Sequence, residues 1–171
     1  IINVPPGLRG NDKKESYVKK MQLLLHHIEA AQVPKVIFVS STSVYGNYQS
    51  GMVTEDTIPI PSSESGKQLL QCETLFRNLP TSKATIVRFG GLIGPKRHPI
   101  NQLSGRTGLK GGNAPVNLIH QIDCMGILTT IVQKELWGIT LNAVFPSHPL
   151  KSTYYIKEAK KRNIPPPQFE P

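Results

Sequence analysis

The sequence predicts an α/β protein in which part of a doubly wound parallel sheet is followed by a small C-terminal lobe. Three observations carry that expectation. Val36-Ile37-Phe38-Val39 and Ala84-Thr85-Ile86-Val87-Arg88-Phe89 are short β-prone runs, nearly continuous in apolar character as strands covered on both faces require. Each follows a segment whose apolar residues recur with helical spacing. Each of those segments is closed by a proline, Pro34 or Pro80, which lacks the backbone donor that a further turn needs.

In chain order, Ile1-Ile2-Asn3-Val4 reads as a strand entered partway through a fold, as in a fragment or trimmed chain. Tyr17, Met21, Leu24, Ile28 and Ala31 form the stripe of a helix over about residues 15 to 32. After the strand at 36–39, Ser62-Ser63-Glu64-Ser65 offers hydroxyls and a carboxylate to the free N–H groups of a helix start. That helix runs through Leu69, Cys72, Phe76 and Leu79, and the next strand breaks at Gly90-Gly91. Strand, helix, strand, helix, strand is the order of right-handed βαβ crossovers, so residues 1–91 should form a three-stranded parallel sheet, the C-terminal half of a doubly wound domain. Residues 92–171 make up the lobe. It begins with a Gly- and Pro-rich surface loop to residue 116, then a helix after Asp123, a short strand from Ile139 to Phe145 and a last helix over residues 151 to 163. Pro165-Pro166-Pro167 stiffens the tail.

The 171 residues, 38% hydrophobic, suffice for one packed domain and crowd two. No apolar run nears the ~20 residues of a bilayer span, and no charged-then-apolar leader opens the chain, so the expectation is a cytoplasmic protein without a membrane partner. Cys72 and Cys124 lack CxxC spacing and fall inside helices, the pattern of reduced core thiols. His26 and His27 point about 100° apart around a helix, and His120 with Asp123 lacks further ligands, so no metal site is expected. The net charge of +9 could draw an anionic partner. Its densest group, Lys157, Lys160, Lys161 and Arg162, lies on one helix and reads first as a solvated face. With aromatics at 6% there is no basic-and-aromatic stacking motif, which argues against nucleic acid.

The segment from Val36 to Gly46, reading VIFVSSTSVYG, resembles the strand-to-loop segment of the NAD-dependent epimerase/dehydratase family, the extended short-chain dehydrogenase/reductases. Arg88 to Pro95, RFGGLIGP, resembles the family's segment after the next strand, and Asn117 to Asp123, NLIHQID, its later helix entry. The matches run in family order and extend over nearly the whole chain. They imply a Rossmann-like fold, an NAD or NADP cofactor, and an oxidoreductase, epimerase or dehydratase acting on a nucleotide sugar or related hydroxyl-bearing metabolite. Two features depart from the family. No G-x-G-x-x-G occurs here, the loop on which the family receives the pyrophosphate, so the cofactor belongs to the complete protein and this chain alone should bind it weakly or not at all. The family's catalytic Tyr stands four residues before its Lys, and in this register Ser63 holds that place before Lys67. Catalysis is therefore an open question, with a non-catalytic binding or regulatory module as the alternative.

The resemblance assigns Ser41 to the reacting substrate oxygen and Lys67 to the nicotinamide ribose, with Ser63 as the third catalytic candidate. A phenol with a pKa near ~10 can ionise at neutral pH beside a cation. A serine hydroxyl is far less acidic, so Ser63 should orient a water or a substrate group rather than act as an equivalent base. One i,i+4 step separates Ser63 from Lys67, which sets both on one face if the helix has begun at Ser63. Plainer readings stand beside these: a hydroxyl satisfying a strand end for Ser41, a solvated lysine for Lys67. Pro5, Pro6, Gly90 and Gly91 follow strands, at the ends where open α/β sheets place ligands, and are cofactor-binding candidates as well as ordinary turn residues. Tyr45 is equally a turn aromatic or a substrate contact. Arg97 and His98 lie in the loop expected to meet a substrate phosphate or sugar. The apolar edge at Ile1 to Val4 should pair with a second copy or with a missing N-terminal half.

Overall fold

The computed structural model describes residues 1–7, 16–47 and 51–170. Its elements are α1 (Tyr17–Ala30), β1 (Lys35–Ser41), a 3-10 turn (Thr42–Tyr45), α2 (Glu64–Arg77), β2 (Lys83–Phe89), β3 (Gly91–Ile93), α3 (Ile100–Leu103), β4 (Leu118–His120), α4 (Gln121–Gln133), β5 (Thr140–Ala143) and α5 (Lys151–Lys161). They fall into two compact units, one of Ile1–Phe89 with Gly126–Ala143, the other of Gly90–Met125 with Val144–Pro171. A single cut after residue 91 does not separate them, because residues 126–143 return to the first unit.

The first unit holds a parallel sheet in the order β1-β2-β5, with Lys35 beside Lys83 and Ile86 beside Thr140. It is three-stranded, parallel and Rossmann-like as expected, but its membership differs. Residues 1–4 contribute one parallel bridge, in which the Ile2 N–H donates to the Ile37 carbonyl at 2.8 Å and the Val39 N–H to the Ile2 carbonyl at 2.9 Å. Pro5 and Pro6 follow at once and have no N–H with which to extend the ladder. The third strand is β5, which sequence reading had placed in the lobe.

The helical stripe of α1 buries Tyr17, Met21, Leu25 and Ile28. These residues join one core with Phe38, Leu69, Cys72, Phe76 and Ile86, where Phe38 and Phe76 stack with centroids 4.5 Å apart. Each large side chain so buried contributes roughly 1.5–3 kcal/mol. Both cysteines are free and buried, as expected, and burial pushes the Cys72 thiol up to about 12.

In the second unit, β3 and β4 pair in parallel, Gly91 beside Leu118 and Ile93 beside His120. Ile100, Val116, Leu118, Tyr155 and Ala159 form its core. The stretch from 92 to 116 is therefore no plain surface loop: it contains α3 and buries Ile100 and Val116. Its few apolar residues are too widely spaced to generate a period. The proline-rich tail ends against the same unit, with Phe169 bridged to Leu109. Among the described residues no helix is long and apolar enough to cross a membrane, and no group of three or more His, Cys, Asp or Glu could hold a metal ion.

Candidate functional site

Ser41 closes β1, half buried, and its Oγ accepts the Ser43 N–H at 3.2 Å, capping the 3-10 turn. Its own hydroxyl proton meets no acceptor among the described residues. The turn ends at Gly46 (φ +71°), where a Cβ would overlap the Ile60 carbonyl oxygen, so only glycine lets the returning segment pass. That segment runs into Ser63, whose backbone is extended and whose Oγ accepts the Gly66 N–H at 3.1 Å. Ser63 is thus the N-cap, the helix begins at Glu64, and the condition for Ser63 and Lys67 to share a helical face is not met. Lys67 lies in the first turn, exposed and without a partner among the described residues. At Gly66 a Cβ would stand 2.7 Å from the Ser43 carbonyl oxygen. This close approach sets the turn that carries Lys67 against the turn that starts at Ser41, at the C-terminal end of β1.

Next to these turns lies a buried polar network that sequence reading missed. Glu73, fully buried, accepts from Arg88 Nη2 at 2.7 Å and Nε at 3.0 Å, from Ser40 Oγ at 2.6 Å and from Arg77 Nη2 at 2.9 Å. Arg88 Nη1 donates to Tyr45 Oη at 2.5 Å, and that hydroxyl lies 2.9 Å from both the Thr54 carbonyl and Asn142 Oδ1. Tyr45 is 5% exposed, and its phenol is hydrogen-bonded within the first unit. Burial works to lower the Arg88 pKa, but the hydrogen bonds and charge of Glu73 outweigh it and the pKa is raised. The signal was present in the sequence. Glu73 sits on the stripe of Leu69, Cys72 and Phe76, and Arg88 interrupts an apolar strand. Charges at core positions of two elements announce a pair.

A Cβ on Gly90 would lie 2.9 Å from the Asn117 carbonyl oxygen and from Val144 Cγ1, and one on Gly91 2.8 Å from Leu118 Cδ2. Both glycines are closely packed within the second unit. His98 is 8% exposed rather than displayed on a loop. Its Nδ1 accepts the Ile100 N–H at 3.1 Å and its Nε2 lies 3.1 Å from Tyr154 Oη. Burial first, then the nearby Arg162 guanidinium, hold its pKa below the ordinary histidine value against the pull of Glu158. Arg97 is exposed in a tight turn closed by Gly94. Pro5 is exposed and Pro6 half buried, just beyond the Ile2 bridge.

No family model matches the chain. It is 37% identical over 169 residues to protein YeeZ of Escherichia coli K12, an alignment covering 99% of this chain and 61% of YeeZ. A structure from Methylobacillus flagellatus, assigned to the NAD-dependent epimerase/dehydratases, matches with a TM-score of 0.72 and 29% identity, covering 90% of this chain and 59% of that one. The chain has the fold of the NAD-dependent epimerase/dehydratases. UDP-glucuronic acid 4-epimerase of Bacillus cereus, solved with NAD, gives a TM-score of 0.73 at 24% identity, over 94% of this chain and 61% of the epimerase. A conserved protein of unknown function from Silicibacter pomeroyi gives 0.79 at 20% identity, over 98% and 58%. The chain thus spans 61% of the length of the curated relative it matches. The epimerase/dehydratase resemblance drawn from residues 36–46, 88–95 and 117–123 is borne out at the level of the fold.

Proposed function

We propose that the complete protein is an atypical NAD(P)-dependent epimerase, dehydratase or reductase acting on a nucleotide sugar or related hydroxyl-bearing metabolite in the cytoplasm, and that this chain supplies part of its site. The observation that carries the reading is the close approach at Gly66 of the turn that starts at Ser41 and the turn that carries Lys67, whose hydroxyl proton and ammonium have no partner among the described residues. Their donors fit the ribose hydroxyls of the cofactor and a substrate oxygen. Bound cofactor would supply the hydride acceptor. Ser41 holds the substrate oxygen, and Lys67 holds the ribose and contributes positive charge. Ser63 makes a poor base, because its hydroxyl is weakly acidic and already caps α2. Pro5, Pro6 and Arg97 stay in the proposal as backbone and guanidinium contacts to the cofactor and substrate.

Lys67→Ala in the complete protein should weaken NAD or NADP binding roughly tenfold, the loss of one charge-assisted hydrogen bond. Unchanged affinity in calorimetry would remove Lys67 from the site. The Ser63 cap also favours a second reading, a binding or regulatory module that retains the scaffold without turnover. Proton exchange or epimerisation of UDP-sugars followed by NMR separates the two.

Partner binding at the sheet edge belongs to the same proposal. Ile1 and Val4 are 70% and 50% exposed, and only Ile2 is bridged to β1. Such an edge templates pairing. Sedimentation of the chain should show reversible self-association that Val4→Lys suppresses; a monomer at all concentrations would exclude it.

A further inference from the structure

His98 connects α3 to α5 within the second unit. It stands just before α3, and its ring lies against α5, stacked on Tyr154 at 5.9 Å between centroids and edge-on to Tyr155 at 6.4 Å. The helix that follows is only four residues long. Its first amide, that of Ile100, donates to His98 Nδ1 at 3.1 Å, while the next three donate to the His98 and Pro99 carbonyls. Pro99, at the N-cap, makes no side-chain cap, so among the described residues the imidazole is the side chain that satisfies the start of the helix. Ile100 is fully buried in the core with Val116, Leu118, Tyr155 and Ala159. An N–H displaced there is costly, because it leaves its acceptor without gaining water.

This geometry fixes the protonation state of the ring. An Nδ1 that accepts an N–H carries no proton, so the neutral imidazole holds its proton on Nε2 and donates it to Tyr154 Oη at 3.1 Å. A proton taken up from solvent must then settle on Nδ1, where it faces the Ile100 N–H. Two donors cannot bond, so the contact that starts α3 is lost in the same step. The surrounding charges offer little compensation. From α5, Glu158 Oε2 lies 3.7 Å from Nε2, but the same carboxylate is paired with Arg162, whose charge opposes a second cation beside it. Tyr154 and Tyr155 are the other titratable groups of α5 against the ring. The four residues of α3 include none, and Lys96 and Arg97, which precede His98, add only positive charge.

We infer that His98 is an acid-sensitive latch of the second unit, in which a proton on Nδ1 frees the Ile100 amide and releases α3 from α5. The folded ring resists that proton, since burial first, then Arg162, hold its pKa below the ordinary histidine value against the pull of Glu158. The latch therefore contributes its full stability above the unfolded histidine pKa and loses it as pH falls through the lower, folded one. Above neutrality α3 stays closed on α5. The inference uses none of Ser41, Ser63 or Lys67 and stands without them.

The test is a pH titration of the isotope-labelled 171-residue chain, followed by NMR from about pH 8 down through the histidine range. Imidazole nitrogen shifts should show His98 as the Nε2–H tautomer at the alkaline end and protonated on Nδ1 at the acid end. The amides of α3, and those of Tyr154 and Tyr155, should shift with the same midpoint. His98→Asn places a carboxamide oxygen, which does not titrate, where it can accept the Ile100 N–H as an Asx turn. That variant should keep α3 closed throughout, and at acid pH the Ile100 amide of the unsubstituted chain should exchange with solvent roughly tenfold faster than in the variant. An Nδ1–H ring at the alkaline end, protonation of His98 that leaves the α3 amides unmoved, or the same acid response of those amides in His98→Asn overturns the inference. The first two outcomes are read on the unsubstituted chain and decide the matter even if the variant does not fold.

Discussion

Glu73→Ala should cost about 3–5 kcal/mol of unfolding free energy, a large share of what a small domain possesses. The substitution would leave the Arg88 guanidinium, 2% exposed, facing only the Tyr45 hydroxyl. Arginine cannot escape by losing its proton, so the full penalty of an uncompensated buried charge remains. Ser40 would lose its acceptor as well, and Arg77 would keep only Thr140 Oγ1 among the described residues. Urea unfolding of the chain measures the effect, and two further variants identify its cause. Arg77→Ala removes a partner that is 38% exposed and should cost no more than about 1 kcal/mol. Glu73→Leu combined with Arg88→Met removes both charges and should recover most of the loss, because a buried pair replaced by apolar groups is often neutral. If Glu73→Ala costs no more than Arg77→Ala, the network is not what anchors α2 to β2. The pH dependence has a defined sign. The folded Arg88 pKa is raised above its ordinary value, so its contribution is fully present below the unfolded pKa and is lost only as pH rises through the folded one. Moderately alkaline buffer should leave it in place.

The same pair shows how far the fold could be read from sequence, and where reading stopped. Apolar periodicity gave α1, α2, β1 and β2 within a few residues, because each has one buried face or two. It could not say which strands are neighbours. Thr140–Ala143 pairs with β2 across more than fifty residues of chain, a non-local choice that no local pattern records. Residues 1–4 have the composition of a strand but only a single bridge, since two prolines end the ladder. At the candidate site, Ser41 and Lys67 were legible through their order in the chain. The cap at Ser63 was legible too, from Ser-Ser-Glu-Ser, yet its consequence was missed: a serine that caps a helix is not also a residue on that helix's face. His98 and Tyr154 became a hydrogen-bonded pair only in three dimensions, fifty-six residues apart. Glycine after a strand suits either a close ligand or a close backbone, so sequence leaves both readings of Gly90 and Gly91 open, and the Asn117 carbonyl shows a close backbone at each.

Gly46→Ala should destabilise the chain by about 3 kcal/mol or more and disturb the Lys67 turn at the same time. Two independent penalties meet at this position. The backbone has φ +71° and ψ −162°, a region that essentially only glycine occupies, at a strain of about 1–3 kcal/mol for any other residue. The new methyl would also overlap the Ile60 carbonyl oxygen and lie 3.1 Å from the Ser62 nitrogen. Both are backbone atoms, so no rotamer change relieves the clash and the 60–62 segment must move. That segment leads directly into the Ser63 cap, and α2 then rests on Ser43 through Gly66, so displacement passes to the turn that carries Lys67. Two glycines separate the penalties. Gly51 has φ +88° with nothing among the described residues within 4 Å of a would-be Cβ, so Gly51→Ala carries chiefly conformational strain, roughly 1–2 kcal/mol. Gly126 lies inside α4 with open space around it, and Gly126→Ala should be neutral or stabilise by up to about 1 kcal/mol. Urea unfolding of the three variants should rank Gly46→Ala far below the others, and amide shifts should change at Gly66 and Lys67 in that variant only. A Gly46→Ala chain no less stable than Gly51→Ala, with those amides unmoved, would show that the 60–62 segment yields freely and that Gly46 does not set the geometry of the turn that carries Lys67.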